Sequence, residues 1–333
     1  MMNYEVFKEV VAEEILGYMP DDFANHKVEI SSVKKVNRIE DSLQLIPPEG
    51  RGEQAIPSLS INHLYEDYKQ YEDLKDTLTF GAYEFAKAYE MAPQNVEKKI
   101  MENAKDKVVM MLINTEQNRE LLQTVPHRDF HDLSIVYRIV ADIDANGIQS
   151  AMIGHELAER LEMDEQTLYM VATQNTKRLF PPVIKSMNDV LKEIFITDGM
   201  SEEIADKMFG EMPADKIMYV ITNERGTNGA VSMLYEGELH SLAEQLGSDL
   251  YILPSSLHEV IAVSADMGDP YELAQMVAEI NMGQVDLADR LSNQVYHYDK
   301  DLRRLTMATD TPNKRLDGIV AEPPMFYETK QSR

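Results

Sequence analysis

The sequence predicts an α+β fold, with two small sheet lobes, mixed or antiparallel and packed with helices, joined by a helical segment. Three observations predict it. Residues 217–265 alternate short apolar runs with turn signals and one amphipathic helix. The same order of a helix and an apolar strand occurs at 121–140 and again at 238–263. Between these two halves, helical spacing of apolar residues dominates.

The stretch 217–265 first predicts a β-hairpin. Val231, Met233 and Tyr235 lie two residues apart, which places their side chains on one face of a strand. Asn228 and Gly229 separate them from the preceding apolar run and tolerate a positive φ angle. We therefore expect two strands joined by a loop at this pair.

A helix and two strands follow in the same stretch. Apolar residues recur at i, i+3, i+4 and i+7 from Leu239, and Gly247 stands where a left-handed C-terminal cap is expected. The apolar runs 250–253 and 260–263 are too short for helices, and Pro254 breaks the chain between them. They predict two strands with a corner at the proline.

The next helix is predicted from its cap. Asp269 precedes a proline at the first helical position, as in a capping box. Leu273, Met276, Val277 and Ile280 are spaced so that they form its buried stripe.

These elements suggest four parts of the chain. Residues 1–142 form an N-terminal α+β lobe, 143–213 a helical connector and 214–310 a C-terminal α+β lobe, while proline and charge make 311–333 a flexible tail. Within the connector, 183–196 is expected to be one helix.

An internal echo suggests that the lobes form a pseudo-repeat. In each half, an apolar-proline pair and a histidine-acid pair occur near an apolar strand. The pairs are Val125-Pro126 and His131-Asp132 in the first half, and Leu253-Pro254 and His258-Glu259 in the second. An ancient duplication and a chance match both account for it.

The charge of the chain is strongly negative. It has 32 basic and 58 acidic residues, a net charge of −26. Residues 226–289 contain eleven acidic residues and no Lys or Arg. Such a field repels phosphate backbones and anionic lipids, so we expect no direct contact with nucleic acid or membrane, and a basic protein as the partner. The residues predicted to bind it are Glu236, Glu238, Glu244 and Asp249.

The cellular compartment is predicted from two absences. The chain contains no cysteine, which agrees with a reducing compartment and excludes disulfides. Residues 1–22 have no uninterrupted apolar core of the kind found in signal peptides or membrane anchors. We therefore expect a cytoplasmic protein.

The densest group of metal-capable side chains is His127, Asp129, His131 and Asp132. On an extended segment, alternate residues point the same way, so the first three could offer a nitrogen, an oxygen and a nitrogen to one ion. This arrangement predicts a metal-dependent hydrolase. The alternative is a solvated loop before a strand, with Arg128 paired to a neighbouring carboxylate.

Other motifs are incomplete, and no cofactor is predicted. His155-Glu156 begins like a zinc-protease helix, but Glu159 occupies the position of the second histidine ligand. The loop 223–229 lacks the spacing and the lysine of a phosphate-binding loop. No Gly-x-Ser-x-Gly elbow is present.

Three blocks of the sequence resemble a family of uncharacterised proteins from anaerobic gut bacteria. They are the opening segment 4–20, the block 152–175 with its His-Glu-Leu-Ala-Glu-Arg-Leu run, and the block 291–299, Leu-Ser-Asn-Gln-Val-Tyr-His-Tyr-Asp. The resemblance implies a bacterial cytosolic protein of unknown function, sometimes encoded near mobile genetic elements. It transfers no catalytic residues.

Two hypotheses about function follow. The first is a non-enzymatic binding protein whose acidic face engages a basic partner, with mimicry of the charge of nucleic acid as one way of doing so. The second is a hydrolase that uses a metal at 127–132. We favour the first, because the charge pattern is continuous whereas the ligand set is short.

Overall fold

The computed structural model describes residues 1–50, 55–92, 95–144, 147–209, 217–312 and 314–318. The helices are α1 (Tyr4–Glu14), α2 (Ile61–Tyr71), α3 (Leu74–Glu90), α4 (Val96–Met101), α5 (Arg119–Leu122), α6 (His155–Arg160), α7 (Glu165–Leu179), α8 (Met187–Thr197), α9 (Glu202–Met208), α10 (Glu236–Leu246) and α11 (Pro270–Gln284). The strands are β1 (Lys27–Lys35), β2 (Arg38–Ile46), β3 (Leu59–Ser60), β4 (Val108–Asn114), β5 (His127–Phe130), β6 (Leu133–Asp144), β7 (Gly147–Met152), β8 (Pro182–Ser186), β9 (Tyr219–Asn223), β10 (Leu250–Leu253), β11 (Val260–Ser264), β12 (Tyr296–Asp299) and β13 (Arg304–Met307). Together they confirm the α+β class.

The N-terminal sheet has the strand order β1-β2-β3 and packs against α1, α2 and α3. Its core is separate from the rest, and typical members are Phe7, Leu43, Leu64 and Phe85. The helices begin at side-chain caps: Asn3 accepts a hydrogen bond from the backbone N–H of Val6, and Asp73 accepts one from that of Asp76.

The other two sheets share one core. One sheet has the order β4-β6-β5, and β7 also pairs with β6, beyond the end of β5. The other has six strands in the order β13-β12-β10-β11-β9-β8. Buried side chains from both meet in a single apolar cluster, for example Met110, Ile135, Ile221, Val260 and Tyr296. The strand pairs of all three sheets, as far as the described residues extend, are antiparallel.

The range 143–213, expected to be a helical connector, contains α6 to α9 and also two strands. β7 joins the sheet of β6, and β8 forms the edge of the six-stranded sheet beside β9. The prediction of one helix over 183–196 is therefore wrong in its first part. Val183 and Ile184 suit a strand, and the Ser186 side chain then caps α8 by accepting a hydrogen bond from the N–H of Asp189.

The predicted hairpin at Asn228-Gly229 is also wrong. A 3-10 helix, Gly229–Leu234, replaces its second strand, and residues 229–233 are all buried instead of alternating. Gly229 lies so close to the end of β9 and to the segment before β11 that an added Cβ would approach the Asn223 nitrogen to 2.8 Å and the His258 carbonyl oxygen to 2.5 Å. Gly229 is therefore required because its backbone packs closely against these atoms. The residue with the positive φ, 52°, is Asn228.

The two halves repeat one topology. In the first, β4, α5, β5 and β6 follow one another along the chain, and β6 lies between β4 and β5. In the second, β9, α10, β10 and β11 follow in the same way, and β11 lies between β9 and β10. The histidine-acid pairs noted in the sequence occupy equivalent places, directly before β6 and β11. The echo in the sequence thus corresponds to a repeated three-strand unit.

The end of the chain is packed where it is described. Leu316 is buried, and its carbonyl oxygen accepts a hydrogen bond of 2.6 Å from Nη1 of Arg290. Most of the predicted tail, residues 313 and 319–333, lies outside the described residues.

A buried asparagine pair joins the N-terminal sheet to the rest. Asn37, in the tight turn between β1 and β2, has a φ of 64° and is 1% exposed. Its N–H donates to Oδ1 of Asn118 at 2.6 Å, and Nδ2 of Asn118 donates back to Oδ1 of Asn37 at 2.8 Å. Nδ2 of Asn37 also donates to the carbonyl oxygens of Leu287 and Arg290, at 2.9 and 2.7 Å. One turn is thereby bonded to two distant segments.

Replacing Asn118 by alanine is expected to lower the free energy of unfolding by about 2 to 3 kcal/mol, because it leaves the buried backbone N–H and the side-chain Oδ1 of Asn37 without their partner. Urea unfolding followed by circular dichroism measures this. Gln123→Ala, an exposed side chain just after α5, is the control and should change little. Equal stability of the two variants would contradict the role given to the pair.

Candidate functional site

The four metal-capable residues at 127–132 do not converge. His127 and Asp129 lie on β5, but His131 adopts a φ of 59° in the two-residue turn before β6, so the alternation ends before it. Nδ1 of His127 lies 3.0 Å from the Val125 carbonyl oxygen, and Asp129 is exposed. No group of three or more His, Cys, Asp or Glu side chains in the described part of the chain is placed to hold a metal ion. The hydrolase hypothesis therefore lacks a ligand set there.

Asp132 is instead a half-buried structural carboxylate. It accepts hydrogen bonds from Oγ of Ser292, at 2.5 Å, and from the Tyr296 hydroxyl. The Tyr296 ring stacks on Phe130 with centroids 5.9 Å apart. Burial raises the pKa of Asp132 above its ordinary value, and the two donated hydrogen bonds offset only part of that effect. Asp132 thus ties the β5–β6 turn to β12.

Arg128 pairs with a carboxylate, as the loop interpretation anticipated. Its Nε and Nη2 donate to the two oxygens of Glu165 at 3.0 and 2.8 Å, and its guanidinium lies 3.9 Å from the ring centroid of Tyr169. The Tyr137 hydroxyl donates to the same carboxylate at 2.5 Å. Burial opposes the charged form of Glu165, but the bonds from Arg128 and Tyr137 hold its pKa below the usual range. This ion pair fixes α7 on the sheet.

The two histidine motifs of the sequence meet at one open groove. His127 and His155, the latter at the first turn of α6, both line a depression of about 400 Å³ together with Glu159 and Glu165. Glu165 is already occupied by Arg128 and Tyr137. The groove therefore brings the motifs together without completing a catalytic or metal-binding arrangement.

The four acidic residues predicted to bind a partner all have partners within the protein. Glu236 accepts hydrogen bonds from Nε of Arg303 and from the Tyr298 hydroxyl, at 2.6 and 2.8 Å. Glu238 pairs with Lys177 at 2.9 Å.

The other two contact β12 and the turn that follows it. Asp249 lies 3.0 Å from Nε2 of His297 and accepts a hydrogen bond of 3.0 Å from the Lys300 N–H, while Glu244 lies 3.9 Å from Nζ of Lys300. All the Lys and Arg side chains in these pairs come from outside 226–289.

Acidic side chains around α11 are differently placed. Asp266, Glu272 and Glu279 have no Lys or Arg nitrogen within 4 Å among the described residues. Asp269 is the predicted helix cap and accepts hydrogen bonds from the N–H groups of Tyr271 and Glu272, at 2.8 and 3.3 Å.

The same helix exposes large apolar side chains, namely Tyr271, Met276, Ile280 and Met282. We call these four residues, with Glu272 and Glu279, the α11 surface. The prediction that Met276 and Ile280 are buried is wrong, since they are 40% and 41% exposed.

The buried stripe of α11 is instead Ala274, Val277 and Asn281. Asn281 donates hydrogen bonds to the Ser292 carbonyl oxygen and to Oδ1 of Asn293, at 2.9 and 2.8 Å. The spacing of apolar residues could not predict which face of α11 points inward, because one of the inward residues is the polar Asn281.

The block 291–299 is a polar hub inside the fold. Ser292 and Gln294 are fully buried, and Gln294 bonds to the backbone and side chain of Thr311. Tyr298 and His297 reach Glu236 and Asp249. These polar residues therefore hold the C-terminal segment together.

A family model matches residues 4–300, which include this hub and both repeated units. The chain belongs to DUF5688, a family of unknown function. This confirms the resemblance to an uncharacterised family. No curated protein and no solved structure matches this DUF5688 chain. None of the helices in the described ranges has the length and apolar character needed to cross a bilayer.

The half-buried Asp132 predicts a pH-dependent stability. Its pKa in the folded protein lies above the ordinary value, so between the two values the folded state holds a proton that the unfolded chain has lost. The contribution of Asp132 to the free energy of unfolding therefore falls as the pH rises through that interval, and stays low above it.

Asp132→Asn removes this titration. Relative to the variant, the wild type is expected to be most stable at acidic pH, below the ordinary pKa of an aspartate, and to lose that advantage as the pH rises through the raised pKa of Asp132. Urea unfolding of both proteins across this range measures the difference, and comparison of the two cancels the shared effect of net charge. A difference that does not change with pH would contradict the burial effect.

Proposed function

We propose that this DUF5688 protein is a non-enzymatic binding protein whose α11 surface engages a basic, partly apolar segment of a partner protein. The observation that carries the proposal is the combination on one helix of large exposed apolar side chains and of carboxylates that have no cation partner within the described part of the chain. Apolar contact supplies affinity, whereas charge complementarity supplies partner choice and association rate.

The geometry of α11 suits such a segment. Glu272 and Glu279 are seven residues apart and so lie on one side of the helix, and Met276 and Ile280 are four residues apart beside them. A partner helix or strand with Lys or Arg next to apolar residues would match this arrangement.

The four acidic residues first predicted to bind remain a secondary part of the proposal. Glu236, Glu238, Glu244 and Asp249 belong to the same half of the chain and add to its negative field. A partner that contacts them directly must compete with Arg303, Lys177 and Lys300. We therefore assign them to long-range attraction, and α11 to direct contact.

The charge of the whole chain supports the same class of partner. At −26 it disfavours direct binding to nucleic acid or to an anionic membrane. If the basic partner itself binds DNA, the acidic surface of this protein would mimic the charge of DNA and occupy the partner in its place. The absence of cysteine is in keeping with a cytoplasmic location, which we include in the proposal.

The test is binding of a fluorescent, amphipathic peptide made of lysine and leucine, which stands in for the basic segment. Affinity for the wild type should fall about tenfold between about 0.05 M and about 0.5 M NaCl, because salt screens exposed charges. Glu272→Gln/Glu279→Gln should weaken binding about fivefold at the lower salt concentration, since it removes two charges from the contact.

A matched control separates a local site from net charge. Glu9→Gln/Glu13→Gln removes two exposed carboxylates from α1, the same change in net charge on a distant helix. It should leave the affinity near that of the wild type. Equal weakening by both double variants, or no dependence on salt, would reject α11 as the binding surface.

A further inference from the structure

Arg138 stands apart from the other charged groups of the core. It lies within β6, paired with Val109 of β4 on one side and Met152 of β7 on the other. Its Nε and Nη2 donate to Oγ and to the carbonyl oxygen of Ser150, both at 3.0 Å. No carboxylate lies within 4 Å of it among the described residues. In a chain with 58 acidic residues, a half-buried arginine that has no carboxylate beside it in the described structure is unexpected.

Arg290 shows what a structural arginine looks like in the same protein. It is also buried and has no carboxylate, but its Nε and Nη1 bond to the carbonyl oxygens of Val285 and Leu316, at 2.9 and 2.6 Å, and so tie together three segments. Both bonds of Arg138 go to one residue of the adjoining strand. Since a guanidinium has five N–H donors, most of its capacity is left for another acceptor.

A cavity of about 210 Å³ is the place for that acceptor. Arg138 lines it, between the four-stranded sheet and the loop after β9. Val109, Val140 and Phe180 give it apolar walls, and Asn223, Thr227 and Asn228 give it a polar rim.

The rim is preformed. Nδ2 of Asn223 donates to the Thr227 carbonyl oxygen at 2.9 Å, and its Oδ1 accepts from the Arg225 N–H at 2.9 Å. The N–H of Asn228 donates to Nδ1 of His258 at 3.2 Å. A loop held by these bonds needs little reordering when a ligand enters, which favours binding.

We propose that Arg138 is the anion-binding end of a pocket for a small organic carboxylate with a short apolar body. The planar guanidinium matches a carboxylate through two parallel hydrogen bonds, and the apolar walls match the remainder of such a molecule. The volume equals about seven water molecules, which limits the ligand to a small acid.

The electrostatics of the empty pocket agree with this assignment. Burial lowers the pKa of Arg138 below its ordinary value, and no carboxylate of the described ranges counteracts the burial. An entering carboxylate would supply the missing negative charge. This site is independent of the α11 surface, which lies in another part of the protein.

The experiment uses the full-length protein with benzoate and butyrate as probes, and sulfate as an inorganic anion. Ligand-observed NMR and calorimetry should detect saturable binding of a carboxylate. Arg138→Met, which keeps the side-chain length and removes the charge, should weaken binding at least about tenfold. Arg178→Met is the matched control, because it removes a cation from exposed α7 surface outside the cavity and should leave binding unchanged.

A second readout separates a binding arginine from a structural one. Without ligand, Arg138→Met should have the same Tm as the wild type or a higher one, because an apolar side chain replaces a half-buried charge without a counter-ion. Added carboxylate should raise the Tm of the wild type and not that of the variant.

Four results would overturn the proposal. They are no binding of either carboxylate to the wild type, equal binding to Arg138→Met, sulfate binding as tightly as the carboxylates, and a Tm of ligand-free Arg138→Met well below that of Arg178→Met. The last would make Arg138 a structural residue held by Ser150.

Discussion

The reciprocal hydrogen bonds between Asn37 and Asn118 determine how the molecule is assembled. The N-terminal sheet has its own apolar core, so apolar packing alone does not specify where it sits on the rest. A buried amide that satisfies its donors and acceptors in only one position gives that specificity. Because Asn37 also bonds to the carbonyl oxygens of 287–290, the same contact positions the loop that follows α11. Orientation in this protein therefore depends on polar groups, and cohesion on apolar ones.

Local patterns predicted most elements and failed where burial was not one-sided. Helix α10 follows from its apolar spacing, because it buries one face, and the strands β10 and β11 follow from the two short apolar runs on either side of Pro254. The hairpin at Gly229 was wrong because residues 229–233 are buried on every side, so alternation of large side chains carried no information about it. α11 was predicted as a helix but rotated, since Asn281 is inside.

The candidate surfaces were less predictable, for a physical reason. Charge pairs form between residues distant in sequence, so the stretch 226–289 gave no sign that Arg303 and Lys177 would reach Glu236 and Glu238. The histidines near 127 could be placed on a strand from sequence, but a single residue with positive φ, His131, broke their alignment. Arg138 looked like one polar residue in an apolar strand. Only the structure shows that Arg138 lines a cavity, and so only the structure indicates a binding role for it.

The strand order of the six-stranded sheet has a consequence for biosynthesis. β10 lies in the interior of that sheet, between β11 and β12, and β12 is made only after α11. On the ribosome, β10 therefore keeps an open edge until β12 emerges, and Glu236 and Glu244 lack their countercharges until Lys300 and Arg303 emerge. The last hairpin thus closes the sheet and supplies Lys300 and Arg303 as countercharges in one step, so this half of the fold is completed only after β13 has been made.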